Sequence, residues 1–387
     1  MASRPGPRLR TQLIAFVFTR TVINTGFRMV YPFMHVFARA LGVDIEAIAL
    51  AVTARSALGI TGPLFGSLGD QIGRKMTMLA GLIVFFAGMI IVVIWPTYPS
   101  FFLALLIGAA AKLMFDPSMQ AYIGDRVEYG RRGRAIAITE FGWSGAALVG
   151  IPLVGWVIAY YGWVSPFILL GALAVIACVI IFRTIPGQGS TSGKQIPFKE
   201  GFQSILAHPS AIAALIVVVL ISAGNESINL IYGVWLEDSF ALKVIALGST
   251  SIVIGLAELS GEGLVAGYTD RLGKRRAVSI GIVFIVVSCV ILPIVGQNLL
   301  GALIGIFLLF ISFEFTFVSI IPIMTEIVPS ARATLAASSF AAAAIGRAVG
   351  AFVSPSLFKN GIMANALLAT ALAILALVVF RRFVRVE

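Results

Sequence analysis

Long apolar stretches separated by short polar turns run the length of the chain. Twelve can be drawn, at residues 11–39, 46–66, 76–95, 99–123, 134–160, 164–182, 209–236, 246–268, 277–296, 299–327, 333–357 and 362–380. Most hold about 20 residues or more, which at about 1.5 Å per residue crosses a hydrocarbon core of about 30 Å. The pattern predicts an all-α membrane protein of twelve transmembrane helices. The one long polar connection runs from Arg183 to about His208 and contains TIPGQGSTSGKQIPFKEG, which reads as a flexible linker. Six spans precede it and six follow, the repeat arrangement of many secondary transporters. The expected organisation is a six-helix bundle over 1–183, a cytoplasmic linker over 184–208 and a second six-helix bundle over 209–387.

Composition agrees with a lipid setting: 59% of residues are hydrophobic, 12% are charged and mean hydropathy is +1.02, against about 25% charged in soluble domains. The basic start MASRPGPRLR runs into a stretch that continues past Leu41 without an A-x-A-like site, so a retained first helix is expected. The net charge of +11 raises nucleic acid as a partner, but its placement excludes it. With the N-terminus inside, twenty of the 28 lysines and arginines fall in cytoplasmic segments and only Arg39, Lys243 and Lys359 in outer loops. This is the positive-inside pattern, and it places both termini in the cytoplasm. A multi-pass protein of a bacterial plasma membrane is expected, as a monomer.

Two histidines, His35 and His208, and two cysteines inside spans, Cys178 and Cys289, offer no metal site or disulfide framework. A nucleophile with a base is also missing, so neither an enzyme nor a cofactor is expected.

The halves resemble each other at a shift of about 200 residues. Gly66-Ser-Leu-Gly-Asp70-Gln-Ile-Gly73-Arg74-Lys75 follows span two, and Gly267-Tyr-Thr-Asp270-Arg-Leu-Gly273-Lys274-Arg275-Arg276 follows span eight. Asp125 and the basic run Arg131, Arg132, Arg134 follow span four; Glu326 and Arg332 follow span ten. The first loop resembles the G-x-L-x-D-x-x-G-R-K signature of the major facilitator superfamily, and the resemblance covers essentially the whole chain. In the second copy Ala266 stands where the first glycine would be. The resemblance implies two pseudo-symmetric bundles and a cytoplasmic gate from Gly66, Asp70, Gly73, Arg74, Asp125, Asp270, Arg275 and Glu326. Arg74 is expected to pair with Asp125, and Arg275 with Glu326. Plain positive-inside anchoring is the alternative reading of these loops.

Eleven charged residues remain inside the spans. Arg20, Arg28, Arg55, Lys112, Asp116 and Glu140 lie in the first half, and Glu226, Glu258, Glu262, Glu314 and Arg347 in the second. Each costs at least about 2.5–3.5 kcal/mol at the bilayer centre on insertion scales, so each should pair or face a cavity. On span one, Arg20, Asn24, Arg28, Tyr31, His35 and Arg39 fall on one helical face, the expected lining of a water-filled path. Lys112 and Asp116 are one turn apart on span four, placed either to pair with each other or to meet a substrate. Ser222, Asn225, Glu226 and Asn229 share a face of span seven. Arg28, Tyr31, Arg55, Lys112, Asp116, Asn225, Asn229 and Arg347 are the candidate substrate cavity. A carboxyl in a dehydrated cavity can carry a proton near neutral pH, and Glu226, Glu314 and then Glu258 are the candidates for proton coupling. Pairing with Arg347 is the structural alternative for any of them. Glu140 and Glu262 are expected to bridge to the basic loops.

Span five contains Gly142, Gly145, Gly150, Pro152 and Gly155. It is similar to the glycine–proline motif of the superfamily's proton-coupled exporters, with Ile151 standing between Gly150 and Pro152; helix packing alone would also explain the glycines. The arginine those exporters carry in span four is absent near Ala104. The resemblance to drug:proton antiporters implies efflux of small amphipathic compounds by alternating access, with Phe33, Met34, Tyr232 and Trp235 offering an apolar wall or simply facing lipid. The alternative is a transporter of an anionic metabolite, sugar derivative or lipid headgroup, held by Arg28, Arg55 and Lys112.

Overall fold

The computed structural model describes residues 7–62, 65, 71–186, 203–328 and 331–385. The side chains of Pro7, Arg8, Tyr129, Arg131, Asp270, Thr325, Arg332 and Ala333 are not described. The chain is helical throughout these residues. Span one is two helices, α1 (Pro7–Arg28) and α2 (Met34–Leu41), and span two is α3 (Ile45–Leu58) with a 3₁₀ turn at Gly59–Thr61. Spans three and four are α4 (Arg74–Ile94) and α5 (Tyr98–Arg126). Span five is α6 (Tyr129–Gly145), a π turn at Ala146–Gly150 and α7 (Ile151–Tyr161); span six is α8 (Ser165–Thr184). Span seven again divides, into α9 (Pro209–Asn229) and α10 (Tyr232–Phe240). Spans eight to twelve are α11 (Val244–Leu272), α12 (Lys274–Val295), α13 (Leu299–Ile327), α14 (Arg332–Phe358) and α15 (Ile362–Phe383).

Among the described residues, ten segments, spans three to twelve, are long and apolar enough to cross a membrane. Span one is long enough, but Arg20, Asn24 and Arg28 make it polar. Span two reaches the edge of the described residues soon after its 3₁₀ turn. Both belong to the helical bundle, as their packing shows.

Packing follows the repeat. Span one lies on spans five and six, span three on four and six, and span two on four. Six spans later the same pairs recur: seven on eleven and twelve, nine on ten and twelve, eight on ten. The halves meet through spans two and eleven, five and eight, and one and seven.

Backbone conformation carries the duplication too. The described residues with left-handed backbone are Gly42, Gly73, Gly162, Ala241, Gly273 and Gly361, three pairs separated by about 200 residues. Gly73 (φ 90°) and Gly273 (φ 80°) each cap the helix that begins with the basic residue of the loop. A side chain at either would be strained there. The breaks in spans one and seven correspond as well and lie on each other: a Cβ on Gly233 would sit 2.6 Å from the Tyr31 carbonyl oxygen and from the Pro32 Cα. Phe33, Met34, Tyr232 and Trp235 are all buried here, so they do not face lipid.

The glycines of span five all have packing partners. Gly142 receives the Cβ of Arg20 (2.5 Å from where its own would be), Gly145 and Gly150 receive Thr21 and Thr25, and a Cβ on Gly155 would sit 3.2 Å from the Cα of Gly248 on span eight. The small residues therefore let span five approach span one along most of its length, and span eight at its far end.

Candidate substrate and coupling site

Span one carries a ladder of polar residues from the basic-loop face to the opposite face, and each rung has a partner. At the first rung Arg20, 4% exposed, reaches Asp116 (3.2 Å) and Glu140 (2.8 Å) and donates to the Thr139 carbonyl. Lys112 lies 2.6 Å from Asp116 and donates to Asn24 Oδ1 at 2.6 Å. This cluster lies wholly within the first half. The expected pairing of Lys112 with Asp116 is present. Glu140 bridges to Arg20 rather than to the basic loops, because span five packs directly against span one at Gly142.

The next rungs cross between halves. Arg28, the last residue of α1, makes a double hydrogen bond with Glu258 of span eight, both at 2.9 Å. Trp143 donates its ring N–H to the same carboxylate at 3.0 Å, while its ring lies 4.3 Å beneath the Arg28 guanidinium and 5.4 Å from the Lys112 ammonium. Paired forks of this kind are the strongest ion-pair geometry. Tyr31 donates to Glu226 (2.9 Å) and accepts from Arg55 (2.9 Å), and Asn229 donates to the other Glu226 oxygen (3.2 Å). Toward the opposite face, His35 and Arg39 both reach Glu237, at 3.2 and 2.8 Å, and Lys359 reaches Glu46 at 2.7 Å. The face expected to line a water path is therefore the seam between the halves, closed from the middle outward.

At the basic-loop face the described ion pairs are internal to one half. Arg74 meets Asp125 at 3.5 Å, as expected. In the repeat, Lys274, not Arg275, pairs with Glu326, and Arg275 donates to the Arg381 carbonyl. The register explains the correction: Lys274 follows Gly273 just as Arg74 follows Gly73. Gly66 and Asp70 lie outside the described residues, as does the side chain of Asp270.

Three predicted residues are held less tightly. Glu314 packs against Gly261 of span eight, among Glu258, Glu262, Glu140 and Arg28, with no hydrogen bond or ion pair to a described residue. Arg347 is half-buried, close enough to act electrostatically on Glu226 and Tyr31. Asn225 has its Oδ1 buried without a partner among the described residues. Glu262 faces Glu140 and Glu258 rather than the loops. Sequence reasoning missed Trp143 and Glu237. A tryptophan inside a run of small residues was the available signal for the first, since its buried N–H needs an acceptor. No group of described residues is arranged to hold a metal ion.

Broken central helices, two repeats and buried charges at their seam are the architecture expected of a membrane transporter. Residues 16–355 match the Major Facilitator Superfamily, and the chain belongs to that family. It is 26% identical over 270 residues to the multi-drug resistance efflux pump PmrA of Streptococcus pneumoniae, covering 67% of each chain. It is 22% identical over 262 residues to the sialic acid transporter NanX of Escherichia coli, covering 66% of this chain and 64% of that one. The fold matches the inward-facing, unoccupied structure of a bacterial homologue of the human lysosomal transporter Spinster, with TM-score 0.75, 14% identity and 98% coverage of both chains.

Proposed function

We propose that the protein is a proton-coupled exporter of small amphipathic compounds, working by alternating access with both termini in the cytoplasm. The observation that carries this reading is Glu314. It is central in span ten, has no described partner, and stands among three other carboxylates at the seam. Four acids so close repel one another, and a proton or a cationic substrate group on one of them relieves that repulsion. Substrate and proton then use one site in turn. The likeness to PmrA supports efflux.

The anion-transporter reading has the NanX likeness in its favour. It needs Arg28, Arg55 and Lys112 to be available, whereas Arg28 and Lys112 are already held by carboxylates and Arg55 by Tyr31 and the Phe27 carbonyl.

The test uses purified protein in proteoliposomes, with ethidium as substrate, sialic acid as the anionic comparison and pyranine reporting internal pH. The expected outcome is ethidium movement driven by an imposed pH gradient, with opposing proton flux, reduced at least tenfold in Glu314→Gln and in Glu226→Gln. Proton flux that survives both substitutions removes the coupling assignment. Sialic acid uptake that is lost in Arg28→Ala or Lys112→Ala would select the second reading.

A further inference from the structure

Arg55 is an unusual residue in this molecule. It is 1% exposed, lies on a membrane helix and touches no carboxylate among the described residues. Its guanidinium lies 3.8 Å over the Phe27 ring, donates to the Phe27 carbonyl, and donates to the Tyr31 hydroxyl at 2.9 Å. An arginine does not give up its proton in a protein, and a buried charge without compensation is costly. The compensation present is indirect. The Tyr31 hydroxyl accepts from Arg55 and passes its own hydrogen to Glu226, which is itself 1% exposed.

The three residues come from three segments in two halves: Arg55 from α3, Tyr31 from the break after α1, Glu226 from α9. They lie where spans one and seven cross, against the Gly233 contact that admits no side chain. Every element around Glu226 can be accounted for. Its own helix supplies Asn229, span eleven supplies Arg347 and packs Gly350 against the Glu226 Cβ, and span twelve places Asn365 on the Ser227 carbonyl. The groups that act most strongly on Glu226 are Arg347, Asn229, Tyr31 and Arg55, none of them on span ten. One carboxylate therefore serves two arginines.

We infer that Arg55–Tyr31–Glu226 is a hydroxyl-bridged relay through which the ionisation of Glu226 in the second half locks the first half against it, with Tyr31 as the positioning residue. The inference rests on the proton-coupled reading and assigns the lock to residues separate from Glu314. While Glu226 is ionised, the relay compensates Arg55 only if the seam is closed. A proton taken from water onto the Glu226 carboxylate makes it a neutral carboxyl. Arg55 and Arg347 then face each other across the crossing without a counter-charge, and closure is no longer favoured. Proton uptake unlocks the outer face.

The experiment needs no transported substrate. Spin labels are placed on Pro96→Cys and Gln297→Cys, exposed loop positions of the two halves on the closed face, with Cys178→Ala and Cys289→Ala in the background. Distances are measured in lipid nanodiscs at pH 5 and pH 9. The background protein is expected to show a longer distance in acid. Tyr31→Phe, which keeps the ring, is expected to lose at least two thirds of that shift, and Arg55→Gln likewise. Glu226→Gln is expected to show the acid-like distance at both pH values. A full pH response in Tyr31→Phe and Arg55→Gln overturns the relay; if Glu226→Gln still abolishes the response, the coupling role of Glu226 stands without it. A background distance that ignores pH also overturns the relay, while the proteoliposome flux decides separately whether transport is proton-coupled.

Discussion

In the first half Lys112 and Arg20 both lean on Asp116, and Arg20 also reaches Glu140; four buried bases face two acids. In the second half four acids inside the spans stand against one base, Arg347, which acts on Glu226. The surplus base of the first half and the surplus acid of the second meet at the seam, in Arg28–Glu258 and in the Arg55–Tyr31–Glu226 chain. The first half's cluster draws its described partners, Asp116, Glu140 and Asn24, from that half alone, so it does not depend on the seam. Glu226 and Glu258 of the second half take part of their compensation from Tyr31 and Arg28 of the first, and that part lasts only while the halves touch. A charge whose partner depends on conformation can couple conformation to a ligand or a proton, because its free energy differs between the two states. A charge whose partner never leaves cannot.

The sharpest way to break this comparison is at the crossing pair. Arg28→Met or Glu258→Met alone leaves the partner buried and uncompensated, which costs about 3–5 kcal/mol. The double substitution removes both charges and is expected to recover most of that loss in thermal unfolding in detergent. Transport should stay low in all three, because the apolar pair no longer distinguishes the open seam from the closed one. Equal instability of the double and the single variants would show that Arg28 is held by groups other than Glu258.

Much of this was readable in the sequence, and the reasons for success and failure are physical. Apolar length fixed the spans, and acids and bases inside them announced themselves by their cost. The fourfold spacing of Lys112 and Asp116 was enough to pair them, since both sit on one helix. Partners on different helices were less visible. Glu140 could not be assigned to Arg20 without knowing that Gly142 brings span five onto span one. The polar stripe of span one is legible in the sequence as a continuous face. Whether it faced water or the other half depends on which face of the molecule is closed, and that is a property of the state rather than of the pattern. The Arg275 expectation failed for a simpler reason. The repeat shift of 200 residues maps Arg74 onto Lys274, and one residue along a helix turns the side chain by about 100°.

The comparison is sharpened by neutralising one acid in each half. Asp116→Asn leaves Lys112 and Arg20 with reduced compensation and is expected to cost about 3 kcal/mol in the same unfolding measurement. Glu262→Gln removes a like charge from the group with Glu140 and Glu258 and is expected to stabilise the protein by on the order of 1 kcal/mol. Opposite signs are the result that matters. A loss of stability in Glu262→Gln would mean that its carboxylate has a stabilising partner, and that the second half settles its charges as the first does.

The smallest effect separates the halves by backbone rather than charge. Gly42 ends α2 and Ala241 ends α10, at equivalent places and both in the left-handed region, with φ of 65° and 51°. Each donates its N–H back to a carbonyl of the helix it caps: Gly42 to Ala38 and Arg39, Ala241 to Glu237. That conformation suits glycine and costs an alanine about 1–2 kcal/mol. Glycine in turn gains freedom in the unfolded chain, so part of the benefit is offset. Ala241→Gly is therefore expected to raise stability by about 0.5–1 kcal/mol, and Gly42→Ala to lower it by a similar amount. The carbonyl that accepts from Ala241 belongs to Glu237, whose side-chain carboxylate holds His35 and Arg39, so a better cap should steady the residue that carries that carboxylate. Ala241→Gly should then also shorten the mean Pro96→Cys to Gln297→Cys spin-label distance at pH 9. A gain in stability without that shortening would confine the cap's influence to α10 itself.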